Sequence, residues 1–432
     1  MHVRFALLAA AFAAALAVAM PQPPAVSPPA DKPPVAPPPP AALKVSGPIT
    51  HANLTVFILN GPDALPDKPF LTLQEAIEQK KAVVHETSQV NQLAIENISE
   101  VEVFVMAGDI VKGGKQDRTF AFDTILPPKS GKVPVSSFCV EAGRWRGRGS
   151  EVTAMFSLSD NQVVGNALKL AVNGEQSQGR VWDEVKKAQD NIGRNVGKPV
   201  ANAASPSSLQ LALEDKDLAA KLTAYEKTLA DVLKDKPDAI GFAYAVNGKL
   251  QSADVYGSGA LFRKFWPKLV RSAAADALAQ LDAKKVGEPV AVKAVEEFLA
   301  EATKTTAKEV DPAAARAVGQ GEGRGRAGQV LVNNNVQSGA IPTQIVETNP
   351  PAQQPPAPPA PPQAPVQGRG GQPQGRNPDN NATPAQPATP APPSPVRIVK
   401  YESAKYLCVE CGLRGANGAP TGPVLHRTYI AK

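Results

Sequence analysis

The sequence predicts an α+β fold: an antiparallel β-sandwich or barrel-like N-terminal half, then helices plus a β-hairpin, with a long disordered Pro-rich insertion before the last strands. Three observations predict it. Apolar residues recur with the strand period of two from about residue 45 to residue 157. From Trp182 they recur with the helical period, and between residues 311 and 395 they show no period at all.

Leu54-Thr55-Val56-Phe57-Ile58-Leu59 reads as a strand stopped by Asn60-Gly61-Pro62. Residues 72–79 read as a short helix, with Thr72 as N-cap and Glu75 completing a capping box. Strands follow at residues 82–86, 92–96, 101–106, 118–126 and 132–141, separated by loops rich in Gly, Pro, Asn and Asp. Trp182, Val185, Ala188 and Ile192 share one helix face, and Leu218, Leu222, Tyr225, Leu229 and Val232 share another. Asn247-Gly248 between residues 240–246 and 249–256 signals a two-residue hairpin turn. Helices are expected at residues 261–281 and 290–303, with Pro267 either kinking the first or starting a new one. Residues 396–410 alternate like a strand, residues 412–422 are turn-rich, and residues 424–430 read as a last strand. A lone hairpin is only marginally stable. Residues 396–432 are therefore expected to complete the folded part at 45–310, with residues 311–395 inserted between them.

The chain carries 44 prolines, about twice ordinary usage. They cluster in a spacer at residues 20–44 and in the insertion, which lacks the apolar content to offset the entropy of ordering. Within it, residues 330–345 are the one stretch expected to pack locally. Residues 1–19 read as a cleavable signal peptide: Arg4 supplies positive charge, residues 5–18 are apolar, and Ala17-Val18-Ala19 is a small-x-small cleavage site. A retained N-terminal anchor is the alternative, and no Cys follows the run to carry lipid. No other stretch is long and apolar enough to cross a bilayer. The expectation is an exported protein, periplasmic or extracellular, without a transmembrane segment after cleavage. A net charge of +6, with both signs interspersed, argues against nucleic acid as partner. Three cysteines allow at most one disulfide.

The stretches MAGDIVKGGKQDRT (residues 106–119), LPPKSGKVPVSSFCVEAGRW (126–145), GFAYAVNGKLQSADVY (241–256), LFRKFWPKLVRS (261–272) and HRTYI (426–430) resemble a domain-of-unknown-function family. It is also called the ARG-and-rhodanese-phosphatase-superfamily-associated protein domain, the first of the two so named. The resemblance carries no catalytic assignment. It implies association with ADP-ribosylglycohydrolase-type and phosphatase-type proteins, many members looking cytoplasmic.

Lys112-Gly113-Gly114-Lys115-Gln116-Asp117-Arg118 is the first candidate site. Paired glycines expose amide N–H groups while Lys and Arg add charge, a combination that cradles phosphate or carboxylate. The bland reading is a hairpin turn flanked by solvated charges. Cys139 and Glu141 fall on one side of a strand, Cys139 reading as a buried thiol or a nucleophile, with Glu141 and Arg144 as a ligand-facing or structural ion pair. Cys408-Val409-Glu410-Cys411 offers a local disulfide if the chain bends at Val409-Glu410, or else two independent thiols. His426-Arg427 could join an anion site if the last strand lies beside the Gly113-Gly114 turn. No metal set, cofactor fingerprint or catalytic triad order is visible. The expected function is binding of an anionic small molecule or cell-envelope ligand. The alternatives are a hydrolase or transferase acting on a phosphorylated or ADP-ribosyl-type substrate, and a structural protein-interaction module. Oligomeric state is left open.

Overall fold

The computed structural model describes residues 43–282, 287–312, 394–415 and 422–432. The expected signal peptide, almost all of the expected spacer and insertion with its 330–345 stretch, and residues 283–286 and 416–421 lie outside the described residues. The fold is a mixture of helices and mainly antiparallel sheets.

The largest sheet has eight strands. β1 (Lys44–His51) and β2 (Leu54–Asn60) lead into the hairpin of β12 (Ala239–Val246) and β13 (Lys249–Tyr256). The C-terminal strands then extend it: β17 (Val424–Ala431) pairs with β13, followed by β16 (Tyr406–Leu413), β15 (Val396–Glu402) and β14 (Ala307–Val310). β2 and β12 are buried at every position, as a sheet covered on both faces requires. One face packs under α6 (Gly259–Ala279), the other under α7 (Val292–Glu301).

The second sheet has six strands and is close to a barrel. β4 (Ala82–Gln89), β5 (Gln92–Asn97), β7 (Asp109–Gly113), β8 (Arg118–Phe120), β10 (Gly131–Cys139) and β11 (Phe156–Val163) run in the order β11-β7-β8-β10-β5-β4. A bridge between His85 and Met155 brings its two edges together. Its interior holds Val84, Leu93, Ile95, Val111, Phe120 and Val135. A three-stranded sheet of β3 (Leu71–Thr72), β6 (Val103–Val105) and β9 (Thr124–Leu126), with α1 (Leu73–Glu78), packs on this interior. Between the two β regions lie α2 (Asn166–Lys169), a π-helix (Leu170–Glu175), α3 (Gln178–Val196), α4 (Leu209–Leu213) and α5 (Lys216–Leu229).

Local signals carried over well. Thr72 and Glu75 make both hydrogen bonds of the capping box, and Asn247-Gly248 takes the left-handed conformation at both residues. Three expectations change. Residues 118–126 are two strands in two different sheets, because the Asp123 carboxylate accepts from the Ala107 N–H at 2.7 Å and pins a bend between them. Residues 396–410 are likewise two strands, since the Ser403 hydroxyl accepts from the Lys405 and Tyr406 amides and closes a turn. Of the two readings for Pro267, the new helix start is excluded: α6 runs through it with most of its residues buried. Tertiary burial outweighs the one backbone bond that proline removes. Among the described residues no helix is long and apolar enough to cross a membrane.

Candidate functional site

β7 and β8 form a hairpin whose turn is the predicted glycine stretch, with Ile110 opposite Thr119 and Val111 opposite Arg118. Gly113 and Gly114 both have positive φ, and a Cβ on Gly114 would stand 2.3 Å from the Phe156 ring. Only glycine fits there. The amides that might have cradled an anion are already used. Gly113 N–H donates to Asp117 Oδ1 (2.9 Å), Gly114 N–H to the Met155 carbonyl (3.3 Å) and Lys115 N–H to Glu86 Oε2 (3.0 Å). The Gly113 and Gly114 carbonyls accept from the Arg144 guanidinium at 2.9 and 3.1 Å. The amides of the candidate cradle are thus engaged within the protein, and the turn is filled by the protein's own side chains.

Behind the turn is a buried ion network. Arg144 Nε meets Glu141 Oε1 at 2.6 Å, so the two residues form the ion pair the sequence offered. Arg148 donates to both oxygens of Asp117, at 3.0 and 3.1 Å. Ser208 Oγ adds a bond to Asp117 at 2.6 Å, and Ser205 Oγ donates to Glu141. Two carboxylates thus face two guanidiniums, with hydrogen bonds to their remaining lone pairs, the condition under which buried ions are tolerated. Lys112 turns away to Glu214 (2.7 Å), and Lys115 Nζ donates to Ser88 Oγ (2.9 Å).

Arg118 is different. It is fully buried (0% exposed), and Gln116 Oε1 accepts from its Nη1 at 3.3 Å. Nη1 also contacts the Cys139 thiol, its partner across β8 and β10. Its Nε and Nη2 have no hydrogen-bond partner, and Glu86 Oε2 stands 3.9 Å from Nη2. Above it lies Trp145, 41% exposed, its ring 5.5 Å from the guanidinium carbon and 5.3 Å from Lys115 Nζ. Trp145 has a φ of 43°, a left-handed conformation rare for a bulky side chain. Burial pushes the Cys139 thiol up to about 11 despite Arg118, which makes it a poor nucleophile at neutral pH.

The remaining candidates lie elsewhere. β17 pairs with β13 and β16, not with the turn, so His426 and Arg427 do not join it. Arg427 Nε donates to Glu410 (2.8 Å), whose other oxygen takes Arg397 at 3.1 Å. His426 lies in a second buried network that sequence reasoning missed. Its Nδ1 is 2.7 Å from Asp123 and its Nε2 3.3 Å from Asp254, which Lys169 Nζ reaches at 2.8 Å. Tyr256 stacks on the imidazole with ring centroids 4.4 Å apart. Burial works against charge on His426, but the two carboxylates outweigh it and raise the group to about 9. Nearby, Lys268 Nζ pairs with Asp109 at 2.7 Å. The signal for Asp109 was present: it is a lone charge inside the apolar stretch from Val103 to Val111, which implies a buried partner.

Cys408 and Cys411 are both free and buried on β16. The strand does not bend at Val409-Glu410, where its register with β15 stays regular. Cys408 therefore enters the core under α7 and Cys411 the core on the opposite face, so of the two readings the chain has two independent thiols and not the candidate local bridge. Among the described residues no three His, Cys, Asp or Glu side chains gather as metal ligands.

No curated protein and no solved structure matches the chain. A family model does, over residues 42–341, ending before β15 to β17. The chain belongs to the ARG and Rhodanese-Phosphatase-superfamily-associated Protein domain family.

Proposed function

We propose that this is an exported binding domain for an anionic ligand, a small carboxylate or phosphate compound or an anionic cell-envelope group, held by Arg118 beneath Trp145. One observation carries the reading: Nε and Nη2 of a fully buried guanidinium lack acceptors. Those two nitrogens form the side-on fork that matches two oxygens of a carboxylate or phosphate. A buried donor left unmade costs roughly 1–3 kcal/mol, more when charged, and an anion at the fork removes that cost. Lys115 adds charge at the rim and Trp145 supplies an exposed, conformationally strained cover that a ligand displaces on entry. The export half of the proposal rests on the leader-like residues 1–19.

Titration of the full chain with phosphate, di- and tricarboxylates, ADP-ribose and anionic envelope polymers, followed by Trp fluorescence and calorimetry, tests this. At least one class is expected to bind, with binding lost in Arg118→Met while circular dichroism is unchanged. Silence across the whole panel, or binding that survives Arg118→Met, refutes the site.

A further inference from the structure

We propose that the loop between β10 and β11, residues 140–155, docks the protein on the headgroup surface of an anionic phospholipid bilayer. The connection is longer than the usual span of about four to six residues, and loops of such length ordinarily carry function. The large apolar side chains exposed among the described residues are Ile98, Trp145, Val152 and Met155, so three of the four stand on this one loop. Single exposed apolar residues are ordinary, whereas a cluster of them marks an interaction surface.

The loop doubles back on itself over the Gly113-Gly114 turn. Arg144, near its start, donates to the Gly114 carbonyl at 3.1 Å, and Gly114 N–H donates to the Met155 carbonyl at its end. Between these points Gly147 runs against Thr153, so closely that a Cβ on it would stand 2.7 Å from the Thr153 methyl group. Arg144 pairs with Glu141, and Arg148 pairs with Asp117 and Glu151. These pairs act as struts that fix the base of the loop. What they leave exposed is Trp145, Arg146, Val152 and Met155.

The charge left over has one sign. The acids of the loop are taken by the struts, while Arg146 is exposed and has no ion pair among the described residues. Lys115 Nζ donates to Ser88 Oγ and lies 5.3 Å from the Trp145 ring, again without a carboxylate. Cations beside an exposed indole and aliphatic tips are the mixture that settles on a bilayer. Headgroup phosphates neutralise Arg146 and Lys115, Trp145 takes the interface, and Val152 and Met155 reach the acyl boundary. A protein partner would need a surface both acidic and apolar, shaped to this loop. A bilayer offers both layers with no matching of shape.

The test mixes the full chain with vesicles of phosphatidylcholine, with or without phosphatidylglycerol, whose acyl chains are brominated. Trp145 is the one exposed tryptophan, so quenching that disappears in Trp145→Leu reports this loop, whatever residues 1–19 do. It also reports contact with acyl chains, which a soluble anion at Arg118 does not provide. Quenching is expected on the anionic vesicles, with binding at least tenfold weaker on the neutral ones. Arg146→Gln should weaken it about fivefold, the share of one cation near the surface. Val152→Glu combined with Met155→Glu should weaken it more than tenfold. That double variant is expected to bind soluble anions as the parent does, which separates this surface from the Arg118 fork. An unquenched Trp145 on anionic vesicles overturns the proposal and leaves the loop to a protein partner. Quenching that survives the double variant but is lost in Arg118→Met overturns it as well, since the headgroup is then held by the fork and not by the loop.

Discussion

The turn network and the His426 network are built from the same kinds of side chain, yet they close differently. Around His426, charges alternate from Lys169 to Asp254 to His426 to Asp123, under the Tyr256 ring, and of the imidazole only Nε2, 3.3 Å from Asp254, lacks a hydrogen bond. Around the Gly113-Gly114 turn, Asp117 and Glu141 are matched by Arg144 and Arg148, but Arg118 keeps two donors over. An ionic chain of alternating sign holds a sheet to its neighbours. The proposed site differs in that one guanidinium leaves two donors over beneath an exposed Trp. Buried charge alone therefore does not identify a site.

The sharpest way to break the comparison is Asp254→Ala, which leaves Lys169 and His426 facing each other without their shared anion. The expected loss is about 3–5 kcal/mol, read as a fall in the urea midpoint at constant slope. A change below about 1 kcal/mol would show that this network is no staple. Titration comes next in size. With His426 raised to about 9 in the folded chain, its stabilisation is complete below pH ~6.5 and is lost as pH rises through about 9. Urea midpoints between pH 6 and 9.5 should decline by the equivalent of about 3 kcal/mol, and His426→Asn should flatten that decline. A smaller effect belongs to the turn. Gly114→Ala places a methyl group on the Phe156 ring in a left-handed backbone, for an expected loss of about 2 kcal/mol. Smallest is Arg118→Met, expected within about 1 kcal/mol of the parent or above it, because an apolar replacement leaves no unmade bond. A large loss on that substitution would make Arg118 a structural ion like its neighbours and erase the contrast.

Features set by neighbours in sequence were legible. The capping box at Thr72 and Glu75, the Asn247-Gly248 turn and the stripe of Leu218, Leu222, Tyr225 and Leu229 each depend on residues a few positions apart. Of the candidate site, the Glu141–Arg144 pair and the glycine turn were legible for the same reason. Arg148, Ser205 and Ser208 were not, because their only link to Asp117 and Glu141 is through space. The misplaced residues, His426 and Arg427, show the same limit. Alternation revealed that they face opposite sides of a strand, but not which strands would flank it.

The sequence by itself determined the capped start of α1, the Asn247-Gly248 hairpin, the buried stripe of α5, and that the stretch around Gly113-Gly114 must turn. Period, capping and φ preference act within a few residues, so a linear reading captures them. Tertiary structure alone decided that β17 lies between β13 and β16, that Cys408 and Cys411 enter separate cores, and that the turn's amides are spent. It also decided that Arg118 keeps two donors unpaired, which no spacing in the chain announces. Hydrogen bonds between distant segments are settled by packing, and only there does a charged residue become either a strut or a site.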